Sequence, residues 1–172
     1  MPGNYYEEFE VGETIEHERR RTITGADNQR FCDLTMNQQP LHLDAAFAAD
    51  TRFGERLVNG LYTMSLAVGL SIPDTTDGTI VANLSYDDVE HPAPVSHGDT
   101  IRVQSTVTDK RETSDGDRGV VTLHVEVFTL DDATDGDGGG DETTDGSDDE
   151  TLVCSFDRTV LSLKRSAAEG PP

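Results

Sequence analysis

Few side chains in this sequence exchange protons or cradle a developing negative charge near neutral pH, and the most suggestive fall between Met36 and Gly60. His42 stands in the stretch MNQQPLHLD, and an imidazole of ordinary pKa, about 6.5, both takes and gives protons in that range. Asn37 cannot act as a base, but its amide can hold a water through the oxygen or donate from the nitrogen. Gly60 opens an apolar stretch with helical character. A backbone N–H at such a start lacks an intrahelical partner where the dipole favours negative charge, and glycine lets other groups approach closely. Plainer roles exist for both: a buried histidine closing a turn, and a glycine permitting tight helix packing. Arg52 and Arg56 could grip a carboxylate or phosphate bidentately, although surface ion pairing is the commoner use of arginine in an acidic chain. His97 and Asp99 read as a turn, while His17, His91 and His124 show no ligand spacing, so no metal site is expected. Cys32 and Cys154 read as buried thiols.

These residues need a scaffold, and the periodicity supplies one. Strand character runs over Thr14 to Thr22, Thr79 to Tyr86, Thr100 to Lys110, Gly119 to Leu130 and Thr151 to Leu163, with Val121, Leu123, Val125 and Val127 alternating against Thr122, His124 and Glu126. Helical signals fall in the first half. Thr24 reads as an N-cap with Asp27 three residues on, opening a short helix through Phe31. A second short helix covers Asp44 to Ala49. A third, Gly60 to Leu70, is apolar on most of its surface, and Pro73 is expected to stop it. One strand, then helices, then antiparallel strands is an α+β order, satisfied by a sheet of about five strands curling around one buried helix.

The 172 residues fit a single domain, 1–172. Within it Asp131 to Glu150 holds only acids, Gly, Thr, Ser and one Ala and is expected to be a disordered acidic loop, an overgrown hairpin connection; a flexible tail is expected from about 165. No run approaches the roughly 18 to 20 apolar residues of a membrane span, and the N-terminus is polar and acidic, which predicts a soluble, cytoplasmic protein without membrane contact. The formal net charge of −21, from 34 acidic against 13 basic residues, argues against nucleic acid as a partner. Lysine is confined to Lys110 and Lys164. That balance reads as adaptation to concentrated salt, where the Debye length shrinks to about 3 Å at 1 M and self-repulsion is screened.

Three segments in order resemble the MaoC-like hydratase family, which includes the R-specific enoyl-CoA hydratases: Tyr5 to Thr35, Met36 to Leu70, and HPAPVSHGDTI from His91 to Ile101. The resemblance covers nearly all of the chain except the acidic stretch and the tail. It implies the hotdog fold, an antiparallel sheet wrapped around a central apolar helix, and at least a homodimer with the active cleft at the subunit junction. The family motif is G-D-x-N-P-L-H. Pro40, Leu41 and His42 match it, while Met36, Asn37 and Gln39 replace its glycine, aspartate and asparagine. Family members acting on branched dicarboxylic acyl-CoAs, the mesaconyl-CoA hydratases, are similar in carrying T-x-N-x-Q-P-L-H, here Thr35 to His42.

The resemblance implies hydration of a short enoyl thioester of coenzyme A, with coenzyme A as part of the substrate and no separate cofactor. His42 would be general base, Gly60 N–H the oxyanion donor, and Asn37 a water or substrate ligand; Gln39, Asn59, Arg52 and Arg56 would bind substrate. Loss of a carboxylate base typically costs about 10² to 10⁴ in rate. A substrate carboxylate about 4 Å from an aspartate would in turn be repelled by roughly 4 kcal/mol at an effective dielectric of 20. The two effects are of similar size, so Asn37 is compatible with mesaconyl-CoA, hydrated to β-methylmalyl-CoA, as substrate. Straight-chain R-specific hydration and a non-catalytic acyl-CoA-binding protein are the alternatives; a hotdog thioesterase lacks an acid or nucleophile in place.

Overall fold

A computed structural model of the protein describes residues 2–130 and 150–168; the acidic stretch 131–149 and residues 169–172 lie outside them. After a 3-10 turn at Tyr6–Glu8 come strands β1 (Thr14–Glu16) and β2 (Arg21–Thr22) and helices α1 (Gly25–Thr35), α2 (Pro40–Leu43), α3 (Ala45–Ala49) and α4 (Gly60–Thr75). Strands β3 (Ile80–Glu90), β4 (Thr100–Glu112), β5 (Arg118–Leu130) and β6 (Glu150–Leu163) follow, and α5 (Arg165–Ala168) closes the described chain. All pairings are antiparallel, in the order β1-β4-β5-β6-β3, with β2 also on β4.

The alternation read from the sequence builds the core. Val103, Val107, Leu123, Val125, Val127, Phe156 and Val160 point inward and are buried, packing with Ala67 and Leu70 of α4. The sheet therefore curls over the apolar helix, as expected. One stripe of α4, with Leu61 and Ile72, stays exposed, as do Val81, Leu84, Tyr86 and Val89 on the edge strand β3. Arg158 is fully buried; its Nε donates to Asn83 Oδ1 at 2.8 Å and an Nη to Ser71 Oγ at 3.2 Å, tying β6 to β3 and α4.

Four expectations change. The single first strand is two, giving six strands and not five: Glu16 faces Gln104 and Arg21 faces Ile101, so the chain loops out between them. At the break His17 keeps its backbone N–H on Val103 O and turns inward, placing Nδ1 3.0 Å from Asp74 Oδ2 and Nε2 2.9 Å from Ser105 Oγ. Pro73 does not stop α4, which runs on to Thr75. Ser71 and Thr75 donate to the carbonyls of Val68 and Ser71, and burial of Leu70, Ser71 and Thr75 offsets a proline cost of about 3 kcal/mol. Arg165, expected in a flexible tail, begins a helical turn, with its backbone N–H on Glu7 and its guanidinium on Glu8. Glu150, read as the end of the acidic stretch, is the first residue of β6 and pairs with Arg102. The stretch 131–149 itself lies outside the described residues.

Burial pushes the His17 imidazole below its ordinary value, against the upward pull of Asp74. The unfolded chain, with an imidazole pKa of about 6.5, then binds the proton more readily than the folded one. This contribution to stability is complete above that value and is lost as pH falls through it towards the lowered folded value. Urea unfolding at about pH 7.5 and about pH 5.5 should show the native protein weakening on acidification. The difference should shrink in His17→Gln, which keeps an amide for both partners.

Candidate active site

Thr24 caps α1 as the sequence predicts: its Oγ1 accepts the Asp27 N–H and the Asp27 carboxylate accepts the Thr24 N–H. The helix runs one turn past Phe31 and ends at Met36, whose φ of 58° is left-handed. This is the position of the family's glycine, and a side chain there costs about 1 to 2 kcal/mol. Asn37 N–H then donates to Cys32 O at 3.0 Å, and Asn37 Oδ1 accepts the Gln39 N–H at 3.3 Å. With one lone pair of its oxygen engaged in the turn, Asn37 keeps its nitrogen as a free donor. Gln39 is the N-cap of α2, with Pro40 at the first helical position.

His42 is half-buried on α2, and its Nδ1 lies 3.0 Å from Leu57 O. A carbonyl can only accept, so Nδ1 carries the proton and the lone pair is on Nε2, the tautomer a general base needs. Leu57 O also accepts from Asn28 Nδ2 at 3.3 Å. Asn28 is completely buried and connects most of the site. Its Nδ2 also reaches His42 O at 3.4 Å and His97 Nε2 at 3.1 Å, and its Oδ1 accepts the Asn59 N–H at 2.9 Å. His97 is held below its ordinary pKa by burial and then by the Arg56 charge, which keeps it neutral and able to accept from Asn28.

The segment Leu57–Asn59 is fixed by backbone bonds on both sides, from Leu57 N–H to Leu41 O at 3.2 Å and from Val58 N–H to Val95 O at 2.8 Å. Asn59 caps α4: its Oδ1 accepts the Leu61 N–H, and its carbonyl accepts those of Tyr62 and Thr63. Among the described residues no acceptor meets the Gly60 N–H, so this donor is left for a ligand at the positive end of a 16-residue helix. A pocket of about 330 Å³ opens beside it, walled by Leu57, Gly60, Thr63 and His91, with Arg52 among its lining residues. The His91 ring lies against Gly60; a Cβ there would come within 2.9 Å of His91 Cε1.

The structure thus brings Gly60 and Arg52 to one pocket and ties His42 to the backbone that shapes it. Asn59 is buried and stands apart from the pocket lining, with its oxygen capping α4 and its nitrogen turned to Cys32 Sγ. Arg56 lies beside Gly25 and the His97 ring, away from the pocket walls, and its charge disfavours protonation of His97. Arg52 stacks its guanidinium over Phe53 at 4.7 Å. Sequence reasoning missed Asn28, Thr63 and His91; an amide in the interior of α1 was the only available sign of the first. Both cysteines are buried as expected, and burial pushes the Cys154 thiol up to about 11.

A family model described as the MaoC like domain matches residues 8–128. The chain is 33% identical over 123 residues, 72% of its length, to the beta-methylmalyl-CoA dehydratase of Chloroflexus aurantiacus. It is 28% identical over 96% of its length to the mesaconyl-CoA hydratase of Haloarcula hispanica, and 32% identical over 70% to the (R)-specific enoyl-CoA hydratase of Aeromonas caviae. It spans 35%, 42% and 84% of those proteins respectively, so it covers about a third of the first. Among solved structures, a putative MaoC domain protein dehydratase from Chloroflexus aurantiacus superposes with a TM-score of 0.80 at 28% identity, over 99% of this chain and 43% of that one. A Mycobacterium tuberculosis protein with a double hotdog fold matches at 0.69 and 22%, over 94% of this chain and 42% of that one. The architecture is the hotdog fold.

Two substitutions test this geometry. Asn28→Asp keeps the shape but loses the donor facing Leu57 O and His97; thermal unfolding should show a loss of roughly 1 to 3 kcal/mol. Gly60→Ala forces only the exposed His91 ring to move, so the fold should persist by circular dichroism while the anion-binding site closes, with turnover falling about 10² to 10³-fold.

Proposed function

The chain belongs to the MaoC-like family, and on that premise we propose that it is a hydro-lyase adding water to, or removing it from, a short enoyl thioester of coenzyme A. The observation that carries this reading is that the carbonyl holding one imidazole in the basic tautomer, Leu57 O, stands three residues before an unclaimed helix-terminal N–H, that of Gly60. Water attacks Cβ while His42 Nε2 takes its proton. The electrons of the double bond move to the thioester oxygen, and the Gly60 N–H stabilises the enolate. As the carbonyl re-forms, the imidazolium returns a proton to Cα. Every bond made has its counterpart broken, and no cofactor enters.

The acyl group we assign is branched and dicarboxylic, mesaconyl-CoA to β-methylmalyl-CoA. Support comes from Asn37, which offers a donor where a carboxylate would repel the substrate, and from the names of the Chloroflexus and Haloarcula relatives. A straight-chain R-specific substrate is the second reading, favoured by the Aeromonas enzyme, whose length this chain nearly spans. Two copies are proposed to pair through the β3 edge, where Val81, Leu84, Tyr86 and Val89 are exposed and Tyr86 shares a shallow pocket with Met64 and Val68 of α4. No helix among the described residues is long and apolar enough to cross a membrane.

Absorbance of the conjugated thioester in molar KCl, followed with mesaconyl-CoA beside crotonyl-CoA, tests the reading. Mesaconyl-CoA should be preferred, His42→Ala should lose about 10² to 10⁴ in turnover, and Asn37→Asp should erode the preference. Absence of turnover with both substrates, or full activity in His42→Ala, overturns it.

A further inference from the structure

The two serines and two threonines of α4 differ in one respect. Ser65, Ser71 and Thr75 donate to the carbonyls of Leu61, Val68 and Ser71, within their own helix. Thr63 is 1% exposed, and its Oγ1 has no partner among the described residues. A buried hydroxyl without a partner is costly and demands an explanation. Here it lines the pocket beside Gly60, and at three residues' spacing it shares a helix face with the free N–H.

Two further groups converge on that space. The edge of the His91 ring packs on Gly60, with Nε2 3.0 Å from where a Cβ would stand, and His91 lines the pocket. Arg52 lines it too, its guanidinium laid over Phe53. A chain of net charge −21 thus places an arginine, an imidazole and an unpaired hydroxyl around one cavity. That set suits an anion, and a hydroxyl donor with a guanidinium matches a carboxylate best. We propose that Thr63, His91 and Arg52 form the subsite for a free carboxylate on the acyl group. Thr63 donates from inside, His91 supplies a ring N–H, and Arg52 supplies donors and positive charge. The subsite rests on the reading that the Gly60 N–H takes the thioester carbonyl, because the reacting carbons then lie between that N–H and the carboxylate.

The experiment separates this subsite from the reaction itself. Isothermal titration of the full chain in molar KCl with methylsuccinyl-CoA and butyryl-CoA, saturated and therefore inert to hydration, measures carboxylate preference without turnover. Wild type should bind methylsuccinyl-CoA roughly 10-fold or more tightly than butyryl-CoA. Thr63→Val, of the same shape, and His91→Phe, which keeps the packing on Gly60, should each remove most of that preference, while Thr63→Ser keeps it. The ratio of kcat/KM for mesaconyl-CoA to that for crotonyl-CoA should move in parallel. No preference in wild type, or an unchanged one in Thr63→Val and His91→Phe, overturns the subsite. Preference that depends on Thr63 in a protein without turnover upholds the subsite and sinks the hydratase reading alone.

Discussion

The site depends on one buried amide. Asn28 presents a donor and an acceptor at the same end of a short side chain, and no other residue of that shape does both. Its oxygen takes the Asn59 N–H, and its nitrogen serves Leu57 O, His42 O and His97 Nε2. Four stretches of chain that meet nowhere else in sequence are registered against each other by that group. In an interior where an unpaired polar atom is expensive, such a network specifies a single arrangement. The orientation of the His42 ring follows from it, because the carbonyl that fixes the imidazole is the one Asn28 also holds.

The helix and the sheet have a division of labour around this point. The sheet, built on alternating valines, supplies a rigid inner face on which Ala67 and Leu70 of α4 rest. The far end of α4 is pinned by polar bonds instead, through Asp74 to His17 and Ser71 to Arg158. With both ends held, the N-terminus can leave one donor unclaimed without fraying. Asn59 satisfies the next donors in line, so the free N–H is a single well-placed group. Electrostatic stabilisation of a developing oxyanion works best where the donor is fixed before the charge appears.

Charge and chemistry are also separated in space. The acidic residues that dominate the composition are not among the groups lining the pocket, whose ionisable members are Arg52 and His91. An anionic substrate approaching such a surface meets repulsion that salt screens, and then a local positive patch. Asn37 belongs to the same logic. On the proposed reading, an amide in place of a carboxylate removes a base but also a fixed negative charge, and His42 would handle protons alone.

Sequence by itself determined the α+β order, the alternating core, the Thr24 cap and the apolar helix, because these are written in neighbouring residues at spacings of two, three and four. It also offered His42, Asn37, Gly60 and Arg52 as candidates, from the types of group present and a motif resemblance. It did not find Asn28, Thr63 or His91, and it could not see that Asn59 caps a helix or that the Arg56 charge lowers the pKa of a histidine. Those roles are decided by partners 14 to 69 residues away for Asn28 and, for Asn59, also by a thiol on another helix. The same holds for Pro73: a helix continues because burial elsewhere outweighs local preference. Which N–H and which hydroxyl remain unpaired is a property of the whole fold, since an unpaired group is defined by what every other segment fails to bring to it.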